Sequence, residues 1–213
     1  ILKSTSFKND EILLTAFSPG GISLYPDGDV MSATLAATVV TQSGLGDYNI
    51  TDLQKKLSGN TARLTPYISE LHEGMSGSCS PKDLETMLQL NYLYFTGIRR
   101  DEEAFNSYMS RMRNMIKPMR AVPRVIFSDT LAKIITRNSP RMINVPTDAQ
   151  LDQVNLDKIT AIFKERFSNA GDFTYIMVGN FVESEIIALL EKYVGGLPSH
   201  KGKEKWRDLT PEF

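Results

Sequence analysis

The chain has 213 residues, 41% of them hydrophobic and 23% charged, the make-up of a soluble globular protein with one large core or two small ones. With 24 basic and 25 acidic residues its net charge is −1, which gives no electrostatic case for a nucleic-acid or membrane partner. A single cysteine rules out an internal disulfide, and no run approaches the ~20 apolar residues of a membrane span. The chain starts at Ile1 with neither an initiator Met nor a signal peptide, so it is expected to be a piece of a longer protein.

The first predicted element is a strand over Glu11–Phe17, whose nearly continuous apolar character suits a central strand or a sheet covered on both faces. Pro19-Gly20-Gly21 breaks it, Ile22–Tyr25 is predicted to resume extended structure, and a turn follows at Asp27-Gly28-Asp29. No G-x-G-x-x-G or Walker pattern surrounds the glycine pair, so it reads as a turn and not as a phosphate cradle. A helix is predicted over Val30–Ser43, ended by Gly44. Met31, Leu35, Ala36, Val39 and Val40 form its apolar stripe, and the small Ser32, Ala33 and Ala37 let another element approach closely. It reads as the buried central helix of the domain.

Asn49 or Thr51 caps a short helix that stops near Gly59; Asn49-Ile50-Thr51 is also a glycosylation sequon, and capping is the preferred reading. Thr61–Leu71 and Gly74–Ser80 read as an antiparallel pair, with Pro66 marking an edge position or a bulge. A helix over Pro81–Phe95 would place Leu84, Met87, Leu88, Tyr92 and Phe95 on one face. A second, Asp101 to about Met119, has the acidic start and basic end that suit the helix dipole. Pro118 and Pro123 punctuate its exit; Ser128–Arg137 is predicted helical and Arg141–Gln150 a connector. Asn155–Phe167 is an amphipathic helix, Asp172–Val178 a second apolar strand and Glu183–Tyr193 a closing helix. Residues 1–198 thus form one α+β domain with a mixed, mostly antiparallel sheet, helices largely on one face, and the two apolar strands in the same sheet. The charged, aperiodic 199–213 is expected to be a linker.

No catalytic, cofactor-binding or metal site emerges from the residues. His72 and His200 are far apart and lack metal-type partners at i+3 or i+4, so H-x-x-E-H and H-E-x-x-H are both missing. His72-Glu73 reads as an exposed pair. Cys79 precedes a helix start, a position that lowers a thiol pKa, but a small buried strand-end residue is the plainer reading. Asp101-Glu102-Glu103 serves a helix start, and Arg99-Arg100 with the basic half of the next helix reads as a solvated face, an anionic partner being the alternative.

Several segments together resemble the pitrilysin/insulinase-type zinc metallopeptidases, the inverted-motif group. They are LKSTSFKNDEILLTAFSPGG, QSGLG, DLQKKLSG, SPKDLETMLQLNYLYFT, DEEAF, NSPR, RFSNAGDFTYIMVGNF and YVGGLPS, and they cover nearly the whole chain. The resemblance implies the domain fold of the pitrilysin/mitochondrial-processing-peptidase type, and is strongest to the first domain of the C-terminal half of single-chain bacterial members. Such members carry H-x-x-E-H on the helix after the first strands, where its residues bind zinc and activate water. Here that helix offers Leu35-Ala36-Ala37-Thr38-Val39, so Leu35, Thr38 and Val39 stand where ligand, base and ligand would be. The implied role is a non-catalytic domain forming the wall of a peptide chamber, with zinc elsewhere in the parent chain. Its partners would be the other domains of that chain and unstructured peptides, paired at the Thr61–Leu71 edge; a periplasmic or cell-envelope site in a bacterium is implied too. A binding or scaffold module of the same fold is the alternative, and a thiol enzyme using Cys79 a third.

Overall fold

The computed structural model describes residues 1–209. At its centre lies β2, Ile12–Pro19, flanked by β4, His72–Cys79, and β5, Thr174–Gly179, both antiparallel to it. β1, Leu2–Ser4, runs parallel to β5, and β3, Arg63–Ile68, pairs antiparallel with β4, giving the order β1-β5-β2-β4-β3. The sheet is therefore mixed and mostly antiparallel. The two apolar runs from opposite ends of the chain are neighbours in it, from Ile12↔Gly179 to Phe17↔Thr174.

β2 is central but not covered on both faces, contrary to one sequence expectation. Ile12, Leu14, Ala16 and Ser18 point into the core, whereas Leu13 is 47% exposed. Leu13 lies across from Ser78 of β4 and Val178 of β5, so the open face mixes apolar and small polar groups. An apolar run does not distinguish one covered face from two when cross-strand packing alone suffices for the outer residues.

Helices cover the other face. α1, Val30–Ser43, packs beneath β3, and Ile12, Leu14 and Met177 of the sheet share one core with its Ala33, Ala36 and Val40. Gly44 ends α1 at φ 84, and a Cβ there would stand 2.2 Å from the Tyr48 carbonyl oxygen, so the turn requires glycine. α2, Ile50–Lys56, is capped by Asn49, whose side chain accepts from the Asp52 N–H at 2.9 Å. α3, Leu84–Thr96, lies against β3 and β4, and α4, Glu102–Met119, against α1. α5, Pro123–Ile135, and the short α6, Asp148–Asp152, precede α7, Leu156–Arg166. α7 packs closely on α1, where the small residues permit it, and α8, Glu183–Tyr193, packs on α3.

Other sequence expectations are corrected at element level. Ile22–Tyr25 is not extended: Gly21–Leu24 forms a 3-10 turn, because Ile22 and Ser23 donate their N–H groups to the Ser69 and Glu70 carbonyls at 2.8 Å. The buried face of α3 carries Leu84, Met87, Leu88, Asn91 and Tyr94, while Tyr92 is exposed. α5 begins at Pro123, which takes the first helical position that tolerates a missing N–H. Part of the expected connector is α6, started by a Thr147–Gln150 capping box. β1 had no sequence signal; backbone bonds hold it, with Met177 N–H donating to Ile1 and Thr5 N–H to Gly179, both at 2.9 Å.

At the other edge, the phase of the β3–β4 ladder explains Pro66. Ser69 N–H donates to His72 at 2.8 Å, so with the observed register the bonded pairs are 69/72, 67/74, 65/76 and 63/78. Pro66 then sits where an N–H would point away from β4, and the ladder loses no bond.

Among the described residues, those from Pro198 to Leu209 have no regular secondary structure, yet they stay on the domain. Asn169 donates to the Gly202 carbonyl at 2.7 Å, and Arg207 N–H donates to the Ser23 hydroxyl at 3.0 Å. Residues 210–213 of the expected linker lie outside the described residues. No helix among those described is long and apolar enough to cross a membrane.

Candidate functional site

Three places carry functional interest: the α1 positions singled out above, a buried charge cluster at the Gly20-Gly21 turn, and the cleft beside them. On α1, Leu35 and Val39 are closed into the core, and Thr38 is exposed one turn after Thr34. The hydroxyls of Thr34 and Thr41 turn back to the Val30 and Ala37 carbonyls at 2.8 Å. This face presents hydroxyl and methyl groups, with neither an imidazole nor a carboxylate at these positions. No group of three His, Cys, Asp or Glu side chains placed to hold a metal occurs among the described residues.

The other sequence candidates are dispersed. His72 opens β4, its Nδ1 2.9 Å from the Ser69 hydroxyl, while the ring of His200 lies in the C-terminal segment, accepting from Gly202 N–H at 3.3 Å. Cys79 closes β4, seven strand residues or about 23 Å from His72, beyond the reach of a thiol–imidazole pair. Burial, aided by nearby Asp83, pushes its thiol up to about 12, in keeping with the plainer reading of a small buried residue at a strand end and against a thiol activated by the helix start. Asp101 caps α4 by accepting from Ala104 N–H at 2.9 Å. Arg99 donates to the Ser43 and Gly46 carbonyls at the end of α1, and Arg100, Arg113 and Arg120 pair with Asp157, Asp152 and Asp148 at 2.7–2.9 Å. The basic residues thus tie α4 and its approach to α6 and α7.

The charge cluster was not visible in the sequence. His72-Glu73 is not an exposed pair: strand alternation turns Glu73 inward, where it is 1% exposed. Its carboxylate accepts from Gly21 N–H at 2.7 Å and faces the Arg166 guanidinium of α7 at 3.7 Å. Arg166 in turn pairs with Glu204 at 2.5 Å and Glu165 at 2.9 Å, and its Nε donates to the Tyr25 hydroxyl at 2.9 Å. Burial pushes the Glu73 carboxyl up to about 7; the Gly21 N–H and Arg166 pull the other way, while Glu204 and Asp172 add to the rise. Burial also works against the Arg166 charge, but Glu204, Tyr25 and Glu73 hold it above its ordinary value. The glycine pair makes room for all this: a Cβ on Gly21, at φ 61, would lie 2.4 Å from the Ser69 carbonyl oxygen, and one on Gly20 2.7 Å from Arg166. The double glycine was the one available sequence signal, since it marks close approach of a backbone.

A cleft of about 630 Å³ opens beside the cluster, between Ile22 and Ser23, the first turns of α1 at Val30 and Thr34, the hairpin tip at Leu71, and Trp206. Arg141 braces it, donating to the Tyr25 and Ile22 carbonyls at 2.9 and 2.8 Å and to Asp27 at 2.8 Å. Its lining mixes apolar side chains with the hydroxyl residues Ser23, Thr34, Thr136 and Ser139 and the charged Glu70, Arg141, Arg207 and Asp208.

In sequence and in fold the chain is similar to parts of proteins named as proteases. No protein-family model matches the chain. It is 27% identical over 199 residues, 92% of its length, to a zinc protease PQQL-like protein of Arabidopsis thaliana. The periplasmic protease PqqL of Escherichia coli superposes with a TM-score of 0.81 at 21% identity, over 99% of this chain and 23% of that one. A peptidase M16 inactive domain from Pseudomonas fluorescens superposes at 0.71 and 15% identity, over 97% of this chain and 50% of that one. The chain spans only 18–21% of the length of the curated relatives it matches.

Proposed function

We propose, on the premise that this chain is a homologue of zinc proteases and carries the fold of a peptidase M16 domain, that it is a non-catalytic domain of such a protease. In this reading it forms part of the wall of a peptide-binding chamber, and zinc-dependent hydrolysis takes place in another domain of the parent chain. The observation that carries it is α1, which has Leu35, Thr38 and Val39 where the resemblance puts ligand, base and ligand. Two of these side chains are sealed in the core and the third is a neutral hydroxyl. None can bind zinc or activate water.

Unstructured peptides would bind through backbone pairing at the β3 edge, with little sequence preference. The usable stretch is Thr65–Ile68, since the turn after β2 already takes the Ser69 and Glu70 carbonyls and the Leu64 carbonyl accepts from the Tyr94 hydroxyl at 3.4 Å. Pro66 withholds one outward donor, which limits pairing to short segments. The named E. coli neighbour is a periplasmic protease, and the same compartment is proposed for this chain. A silent scaffold of the same fold is the second reading, favoured by the likeness to a domain described as inactive.

Cleavage of an unstructured peptide by the 213-residue chain and by its full-length parent, each with and without a chelator, tests the proposal. Chelator-sensitive cleavage by the parent alone is expected. Cleavage by the isolated chain would overturn the non-catalytic assignment, and an inactive parent would favour the scaffold.

A further inference from the structure

We propose that residues 198–209 form a strap beside the cleft that is locked by a proton on Glu73. With that proton in place Arg166 holds Glu204 and the strap is shut; without it Arg166 turns to Glu73 and the strap lifts. The two carboxylates contest one nitrogen. Arg166 Nη1 lies 2.5 Å from Glu204 Oε2 and 3.7 Å from Glu73 Oε1, the first bonded and the second just beyond bonding distance. Nη2 completes the grip on Glu204 at 3.1 Å, and Nε donates to the Tyr25 hydroxyl, so the guanidinium can serve either carboxylate with little movement. Little else fastens the strap. None of its residues is buried, and beyond Glu204 it is held by single bonds at Pro198, His200, Gly202 and Arg207 and by the Glu204 N–H. Trp206 and Arg207 form one wall of the cleft, so lifting the strap widens the way into it.

The charged and titratable groups around Glu73 fix the direction of the switch. Arg166 and Glu165 come from α7, Asp172 from the turn before β5, Tyr25 from the turn before α1, Tyr67 from β3 and Glu204 from the strap. His72, its neighbour in β4, is exposed. Burial is the largest cause holding the Glu73 carboxyl at about 7, and Glu204 and Asp172 add to it. Lifting the strap takes Glu204 away and lets water in, which returns Glu73 towards the ordinary carboxyl range. Closure therefore takes up a proton: it is favoured at low pH and lost as pH rises through about 7. The ring of His200 acts in the opposite direction, since it accepts from Gly202 N–H and loses that role on protonation. The inference stands whether or not the parent chain is a protease.

Hydrogen exchange at the Glu204 and Arg207 amides, which donate to Asp172 and Ser23, tests this in the 213-residue chain and its Glu73→Gln variant at about pH 5.5 and 8.5. Dividing the two rates at each pH cancels the intrinsic pH dependence of exchange, since residue 73 is remote in sequence from both amides. The ratio of unsubstituted chain to variant is expected to grow about fivefold or more from the lower to the higher pH. Both amides should also exchange faster than those of Ala36 and Val40 in the buried α1. A ratio that is flat or falls with pH would overturn the proposal. So would strap amides no faster than those of α1, because the strap would then open only with the whole domain. Should Glu73→Gln leave α1 unprotected, Glu204→Gln read at Arg207 decides instead. With residue 204 neutral, that amide should exchange faster at the lower pH and gain less as pH rises; unchanged protection at the lower pH would overturn the proposal.

Discussion

Residue 73 shows what a linear pattern hides. Glu73 follows a histidine in a polar hairpin, and nothing nearby marks it as buried; its partner Arg166 is on another element 93 positions later. The folded carboxyl has its pKa raised from 4.5 to about 7, so the fold favours its neutral form. That contribution is fully present below pH ~4.5 and is lost as pH rises through about 7, amounting to about 3 kcal/mol at most. Glu73→Gln should flatten stability against pH between about 4.5 and 7 and leave the variant at least as stable as the parent sequence at pH 8, measured by urea unfolding. A slope unchanged by the substitution would show that Glu73 does not titrate in that window. Val39 is the opposite case, legible from helical spacing alone and 1% exposed. Val39→Asp should cost ~3–5 kcal/mol, the range for an uncompensated buried charge, and an unfolding midpoint near that of the unsubstituted chain would place this face in solvent.

Among the elements, the strongly periodic ones were readable and the irregular ones were not. α1, α8, the Asn49 cap and the β3–β4 pair follow directly from spacing and capping chemistry. The 3-10 turn at Gly21–Leu24 was missed because its bonds go to the hairpin tip about 50 residues away, and β1 because three residues carry no period. α5 was placed five residues late because Pro123 reads equally as a helix stop and as a first helical residue. Pro66 was read correctly as an edge marker, and the ladder phase supplies the reason. Pro66→Val adds an outward N–H without removing a bond to β4. It should change stability by less than about 1 kcal/mol and increase self-association through the edge, which light scattering against concentration would register. Unchanged association would mean that the edge is already covered.

On the scale of the whole molecule, the sheet joins the two ends of the domain: β5 lies between β1 and β2, so the fold closes only when residues 174–179 have been placed. That closure was legible because both runs are apolar and bounded by turn residues. The proposed site was legible only through the resemblance, which sets Leu35, Thr38 and Val39 of α1 against a metal-binding pattern. The cleft and the charge cluster arise from contacts between distant segments, which no local pattern records. The central claim is that this domain supports hydrolysis without holding the metal. It is tested most directly by the zinc content of the purified 213-residue chain after dialysis against zinc and removal of loosely bound ion. The account predicts a ratio far below one zinc per chain; a stoichiometric, tightly held zinc would contradict it.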